Sequence, residues 1–469
     1  MSIAGSIVSA LDQFDNWIAR IHTDKMVNIR NRYDCIVVGT GPGGGPVARE
    51  LAKNRRSVLI VEYGPKLNKT GFWNVAPKAF LDKSKKAFHS DGDIWFGRVR
   101  VLGGGSFVAM GNAASPPEKI LNKWGLDLST ELQWARKFLR VNPMPEEFMG
   151  EGTKLINKAA LSLGWEMKPT PKCVDFEKCT RCSFCMFGCP SGAKWSSVES
   201  IEEAISCGAD LLLETEVTHI LHANGRVKGI SAIHNNEKIT VEAVRVILSA
   251  GALSTPVILQ RSGIPAGKGL AGDIFQTTYG YHPEVGMKGE IILATYLESV
   301  IEEKELFPAP YMYHPYIVQR DIDGGYPEKL GKLQQAKILM KSKKVDTSRL
   351  IGMMTKIRDE RTGEVHGDGS IAKQLTPHDR AKLEEAHQIN KKIMIAAGVK
   401  PESIFTGVYE SGHPCCTAAI GEVVDKNQET DITGLYVSDA SVFPSPLGIP
   451  PILTIVALSK RLANHLISS

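Results

Sequence analysis

Residues 33–64 read YDCIVVGTGPGGGPVARELAKNRRSVLIVEYG, and their pattern decides the fold class. An apolar run to Val38 meets a glycine loop, a helical stretch with Val47, Ala48 and Leu51 on one face, and a second apolar run to Val61. Pro46 sits where a first helical turn tolerates it. This is a βαβ unit, so the chain reads as an α/β protein with a Rossmann-like nucleotide domain. Gly39, Gly41 and Gly44 form G-x-G-x-x-G between strand and helix, and Glu62 ends the second strand. The first glycine makes the tight turn, the second lets backbone approach a pyrophosphate, and the third lets helix and strand pack. The acid accepts from a ribose hydroxyl. An acidic residue at 62 argues against a 2′-phosphate and leaves NAD or FAD; the loop alone does not choose.

Outward from this unit the chain is that of an ordinary globular protein, with 43% hydrophobic and 23% charged residues. The net charge of +5 forms no long basic block, so nucleic acid is not expected as a partner. No secretory leader and no run of ~20 apolar residues is visible, which predicts a cytoplasmic protein. Ile3, Ile7, Leu11, Phe14, Ile18 and Ile21 form one stripe of an amphipathic helix over residues 1–30, suited to its own domain, a second subunit or a membrane surface. Further strands are expected in LLLETEVTHIL, RVKGISAIH and VRVILSAGA, with turns at Asn224-Gly225 and Asn235-Asn236. The expected division is a nucleotide domain over 31–264, a smaller α+β substrate domain over 265–405, and a return to the first domain over 406–469. Within the substrate domain, Thr376 caps a helix that Pro377 opens and Gly398 ends, with Leu383, Ala386, Ile389 and Ile393 on one face.

Three later stretches choose the cofactor. WFGRVRVLGGGSFVAMGNA (95–113), ILSAGALSTPVILQRSGI (247–264), and GHPCCTAAIGEVVD (412–425) followed by GLYVSDASVFPSPLGIPPILTIVALSKRLA (434–463) resemble the glucose-methanol-choline (GMC) oxidoreductases, FAD enzymes that oxidise alcohols. The resemblance implies that Arg100, Gly103, Gly104, Gly105 and Ser106 form a second loop at the flavin pyrophosphate. It implies that Val217 meets adenine and that Asp439 and Ala440 lie near the ribityl chain and pyrophosphate. His413 matches the histidine that takes the substrate hydroxyl proton while hydride leaves for flavin N5. An alcohol needs such a base before it gives up hydride, and imidazole titrates near working pH. Two positions depart from the family. Pro450 stands where it has a second histidine or asparagine, and H-P-x-G-T becomes His413-Pro414-Cys415-Cys416-Thr417.

Nine cysteines are present, and five lie in the loop spanning 173–195, four of them in one tight run. KCTRCSFCMFGCP (178–190) places Cys179, Cys182, Cys185 and Cys189 as C-x2-C-x2-C-x3-C-P, the bacterial ferredoxin run that ligates [4Fe–4S] clusters. The fourth ligand is Cys189 or a nearby thiol such as Cys173, with Cys207, Cys415 and Cys416 more remote. Zinc suits four thiolates too, and GMC relatives carry a shorter metal-free version of this loop. Flavin and cluster together lead to an expected dehydrogenase that passes electrons to a ferredoxin, a quinone or a partner subunit. The same groups run in reverse make a reductase of a carbonyl or activated alkene, and an electron-transfer flavoprotein subunit is a third reading. The aromatic stretch with Tyr311, Tyr313, His314 and Tyr316 shows only that the pocket could accommodate an apolar or planar part of a small-molecule substrate.

Overall fold

Alternation along Arg32–Val38 sends Cys35 and Val37 to one side of a sheet and Ile36 and Val38 to the other. Val58 and Ile60 join the first set and Leu59 and Val61 the second, so both strands are buried on both faces, as parallel sheets are. In the computed structural model, which describes residues 29–67, 70–71, 89–92, 94–312, 314–324, 337–338 and 340–469, these strands sit centrally in a seven-stranded sheet. Its path runs 210–212, 58–61, 32–38, 237–248, 226–234, 216–223, with 435–437 also on 237–248. Strand Glu237–Leu248 serves three neighbours: its first half pairs antiparallel with 229–234, its second parallel with both 32–38 and 435–437. Both central residues of the turns at 224–225 and 235–236 have positive φ, as two-residue hairpins require.

Helices Gly44–Lys53, Ser197–Ser206 and Ile452–Ser468 cover the face that carries Cys35, Val37 and Ile60. Helix Ile452–Ser468 thus packs against helix Gly44–Lys53. On the other side stands a six-stranded sheet with path 306–310, 350–357, 274–281, 410–411, 95–96, and 405–406 on 274–281. Segment 265–405 supplies most of it, but Trp95–Phe96 and Glu410–Ser411 come from outside that segment. Helix Pro377–Ala396 covers it, opened by a capping box in which Thr376 and Asp379 bond each other's backbone N–H. Leu383, Ala386, Ile389 and Ile393 are among its buried residues, as expected.

The helix expected from Ile3 to Ile21, and Tyr313, lie outside the described residues. Among those described, no helix is long and apolar enough to cross a membrane.

Candidate active site

A cavity of about 480 Å³ opens where strands Arg32–Val38, Val58–Val61 and Glu237–Leu248 end, the usual ligand position in such sheets. Gly39, Gly41, Gly104, Gly105 and Ser106 line it. Gly44 and Gly103 stand behind. A Cβ on Gly44 would lie 2.1 Å from the Gly39 carbonyl oxygen, and one on Gly103 would lie 2.8 Å from Val198. A Cβ on Gly41 or Gly105 would meet nothing within 4 Å. These two glycines therefore leave room for a ligand, and the other two allow the loops to pack.

Glu62, Arg100, Val217, Asp439 and Ala440 also line the cavity. Glu62 is buried, which raises its pKa, and it accepts from Thr40 N (3.0 Å), Thr40 Oγ1 (2.5 Å) and Gly64 N (2.8 Å). Thr40 Oγ1 also accepts from Gly103 N at 2.9 Å, so one hydroxyl ties the two glycine loops to the acid. Asp439 takes Thr255 Oγ1 (2.6 Å) and Gly251 N (2.9 Å), which fixes the helix Thr255–Arg261 beside the cavity. The Arg100 guanidinium lies 4.7 Å from the Tyr63 ring centroid. Paired glycine loops with open faces, a buried acid and a flanking arginine fit a dinucleotide such as FAD.

At the far end the wall is made by the second sheet. Period-two alternation on Leu350–Ile357 sends Met354 and Lys356 to the cavity, while Thr355 turns away and bonds Asn390 of the covering helix. Phe275 is opposite Lys356 in the neighbouring strand, its ring centroid 4.8 Å from Nζ. His413 lines the same end, with 27% of its side chain exposed. Its Nδ1 is 3.1 Å from Lys356 Nζ and 3.6 Å from Asp273 Oδ2. Burial and the lysine charge hold His413 well below its ordinary pKa, so it is neutral at working pH. Burial also lowers Lys356 to about 8 and raises Asp273 to about 6.

Sequence reasoning found His413 and missed Lys356, Asp273 and Thr40. One signal was available for the lysine: LIGMMTKI is buried throughout, and Lys356 is its only charged residue. Pro450 also lines the cavity. It brings no donor, and the donor group beside His413 comes from the other domain as Lys356. In the aromatic stretch, Tyr311 lines the cavity, whereas His314 accepts from Tyr316 N at the start of helix Pro315–Ile322.

The cysteine loop seats on the back of the glycine loops. Phe187 packs with Val101, Phe107 and Val108, and Met186 reaches the cavity. At the loop's end, Lys194 Nζ donates to the carbonyls of Ser106 (2.7 Å) and Phe107 (2.9 Å), and just after it Ser197 Oγ donates to Gly41 O (2.9 Å). The expected cluster site finds no support in the arrangement of these side chains. Among the described residues no three histidine, cysteine or acidic side chains are grouped to hold a metal ion. Cys189 Sγ instead accepts from Lys194 N at 3.4 Å, and Cys173 Sγ donates to Gly111 O at 3.2 Å. Cys179, Cys182 and Cys185 are free thiols, as is Cys189.

Two family models described as GMC oxidoreductase match residues 83–287 and 368–459, together more than half the chain. An uncharacterised GMC-type oxidoreductase of Mycobacterium tuberculosis is 27% identical over 93% of this chain and 76% of its own length. An uncharacterised protein of Methanocaldococcus jannaschii is 26% identical over 93% of this chain and 100% of its own. A long-chain-alcohol oxidase of Arabidopsis thaliana is 24% identical over 94% and 68%. Among solved structures, pyridoxine 4-oxidase from Mesorbium loti superposes with a TM-score of 0.69 at 14% identity, covering 92% of this chain and 99% of that one. A formate oxidase gives 0.68 at 16%, covering 93% and 98%. The chain belongs to the GMC oxidoreductase family.

Proposed function

We propose that this protein is an FAD-dependent dehydrogenase that oxidises the carbinol of an alcohol with an apolar body. The observation that carries the reading is His413, a neutral imidazole at the end of the cavity faced by Phe275, Leu293, Tyr311 and Met354. Those side chains suit an apolar substrate, and His413 stands where a hydroxyl proton must be taken. Bound FAD supplies the acceptor for the hydride. The chain's own part is to grip the dinucleotide through Gly39, Gly41, Glu62 and Gly104–Ser106, to exclude water around the carbinol, and to hold its proton on His413. Relatives named for long-chain alcohols and pyridoxine support an alcohol substrate. The test is anaerobic bleaching of the flavin by primary alcohols of increasing chain length. Bleaching that is absent with every alcohol, or unchanged in His413→Ala, overturns the reading.

Dehydrogenase rather than oxidase activity is the finer part of the proposal, since the named relatives are oxidases. It rests on the C-x2-C-x2-C-x3-C-P run, which we propose holds a [4Fe–4S] cluster through Cys179, Cys182, Cys185 and Cys189. Among the described residues these thiols are not grouped as a metal site, so the proposal rests on their spacing. Charge supports it: Lys172 and Lys194 are buried and make no ion pair with a carboxylate among the described residues. The titratable groups that act on their charge include Cys173 and Cys185. Two buried ammonium groups are better balanced by thiolates than by neutral thiols. Iron, acid-labile sulfide and EPR on anaerobically purified protein decide it: stoichiometric zinc or no iron removes the cluster. Hydrogen peroxide formed at the rate of alcohol loss removes the dehydrogenase.

A further inference from the structure

Lys356 Nζ and His413 Nδ1 lie 3.1 Å apart, and a neutral imidazole carries one N–H. The contact therefore has two arrangements. An ammonium at Lys356 donates to Nδ1, which puts the ring proton on Nε2. An uncharged amine accepts from Nδ1–H, which leaves Nε2 with its lone pair. Nδ1 is taken up by Lys356 and Asp273, so Nε2 is the nitrogen left for a substrate in the cavity.

We propose that Lys356 is a positioning residue that sets the tautomer of His413, and so decides whether Nε2 accepts a proton from a hydroxyl or donates one to a carbonyl. The reaction direction rests on the alcohol reading above; the tautomer does not. In oxidation, the hydroxyl proton moves to Nε2 while the Nδ1 proton moves to the Lys356 amine, and the C–H hydride goes to FAD. The alcohol becomes a carbonyl, and the site is left as ammonium plus Nε2–H. That state must lose one proton before it can accept another, and it is the donor state the reverse reaction needs.

The surroundings allow both states. Asp273 and Glu410 favour the ammonium, and burial opposes it, which brings Lys356 to about 8. Glu410 is itself bound by Arg320 at 2.8 Å, and Asp273 accepts from Gly448 N at 2.9 Å with the Arg358 charge nearby. The Phe275 ring stabilises the cation without taking its proton.

The experiment is 15N NMR of histidine-labelled, flavin-loaded protein from about pH 6 to about pH 10, with His413→Asn to assign the ring. Wild type should pass from mostly Nε2–H to mostly Nδ1–H as Lys356 loses its proton. Lys356→Arg, which stays charged, should remain Nε2–H throughout. Lys356→Met leaves Asp273 as the sole partner and should be Nδ1–H above the range where Asp273 titrates. A wild-type tautomer that does not change with pH, or a transition that survives in Lys356→Arg, overturns the proposal. Failure of every alcohol to reduce the flavin leaves these spectra unaffected, so the two readings fail separately.

Discussion

The glycine wall and the His413 wall face each other across one cavity and are built by opposite means. The first is short in sequence, 39–44 and 103–106, and it binds by leaving side chains out. The second gathers Asp273, Lys356 and His413 from distant segments and holds buried charge at a cost in desolvation. One wall is specified by local geometry, the other by tertiary assembly. Gly41→Val and Gly44→Val should separate binding from folding within the first. A side chain at 41 meets no protein atom within 4 Å and points into the cavity's space, so the flavin-free protein should melt as wild type yet retain no flavin. At 44 the added carbon meets the Gly39 carbonyl, and the protein itself should be lost from the soluble fraction. Flavin content and thermal melting check both; equal flavin retention in Gly41→Val would break the assignment of that face.

For the second wall the largest effect should be His413→Ala, a fall of about 10²–10⁴ in the rate of flavin reduction with flavin content unchanged. Next comes Lys356, whose charge has a signed cost. Its folded pKa lies near 8 against an ordinary 10.5, so between those values the unfolded chain binds more protons than the folded one. Stability should therefore rise with pH across that window, by ~3 kcal/mol if this group acted alone. Lys356→Met should be more stable than wild type at pH 7, with the gap shrinking towards pH 10. Buried Lys172 has a similar shift but is present in both proteins and cancels. Urea unfolding in saturating FAD at the two pH values measures the gap, and a gap that is the same at both contradicts a buried ammonium.

This contrast also explains what could be read from the chain. The βαβ unit, the two glycine loops and the helix from Pro377 to Ala396 are written in windows of ten to thirty residues, as spacing and caps. His413 was found through its motif. Lys356 was not, because its role depends on the pairing of 350–357 with 274–281 and on which face of that strand meets the first domain. Glu410–Ser411 and Trp95–Phe96 were missed as strands of the second sheet for the same reason: two residues carry no period, and only their partners make them strands. The cysteine run was read correctly as a spacing, yet spacing does not tell how the thiols are grouped.

The smallest effect returns to the first wall. Thr40 Oγ1 donates to Glu62 Oε2 and accepts from Gly103 N, so it joins both glycine loops to the acid. Thr40→Val keeps the shape and removes the hydroxyl. The Gly103 N–H then loses its partner in a buried place, at a cost of ~1–3 kcal/mol. If the cavity wall is held by its backbone alone, that cost falls on folding, and the flavin-free protein melts earlier with unchanged FAD affinity. If the loops are free to part until the dinucleotide bridges them, it falls on binding, and FAD should dissociate about 10-fold more readily at an unchanged melting temperature. The Oγ1 bonds tie the loops to Glu62 directly, with no ligand atom between them, so the first outcome is expected to dominate, and an FAD affinity lowered 10-fold without any loss of melting temperature would show that the cradle is assembled by its ligand.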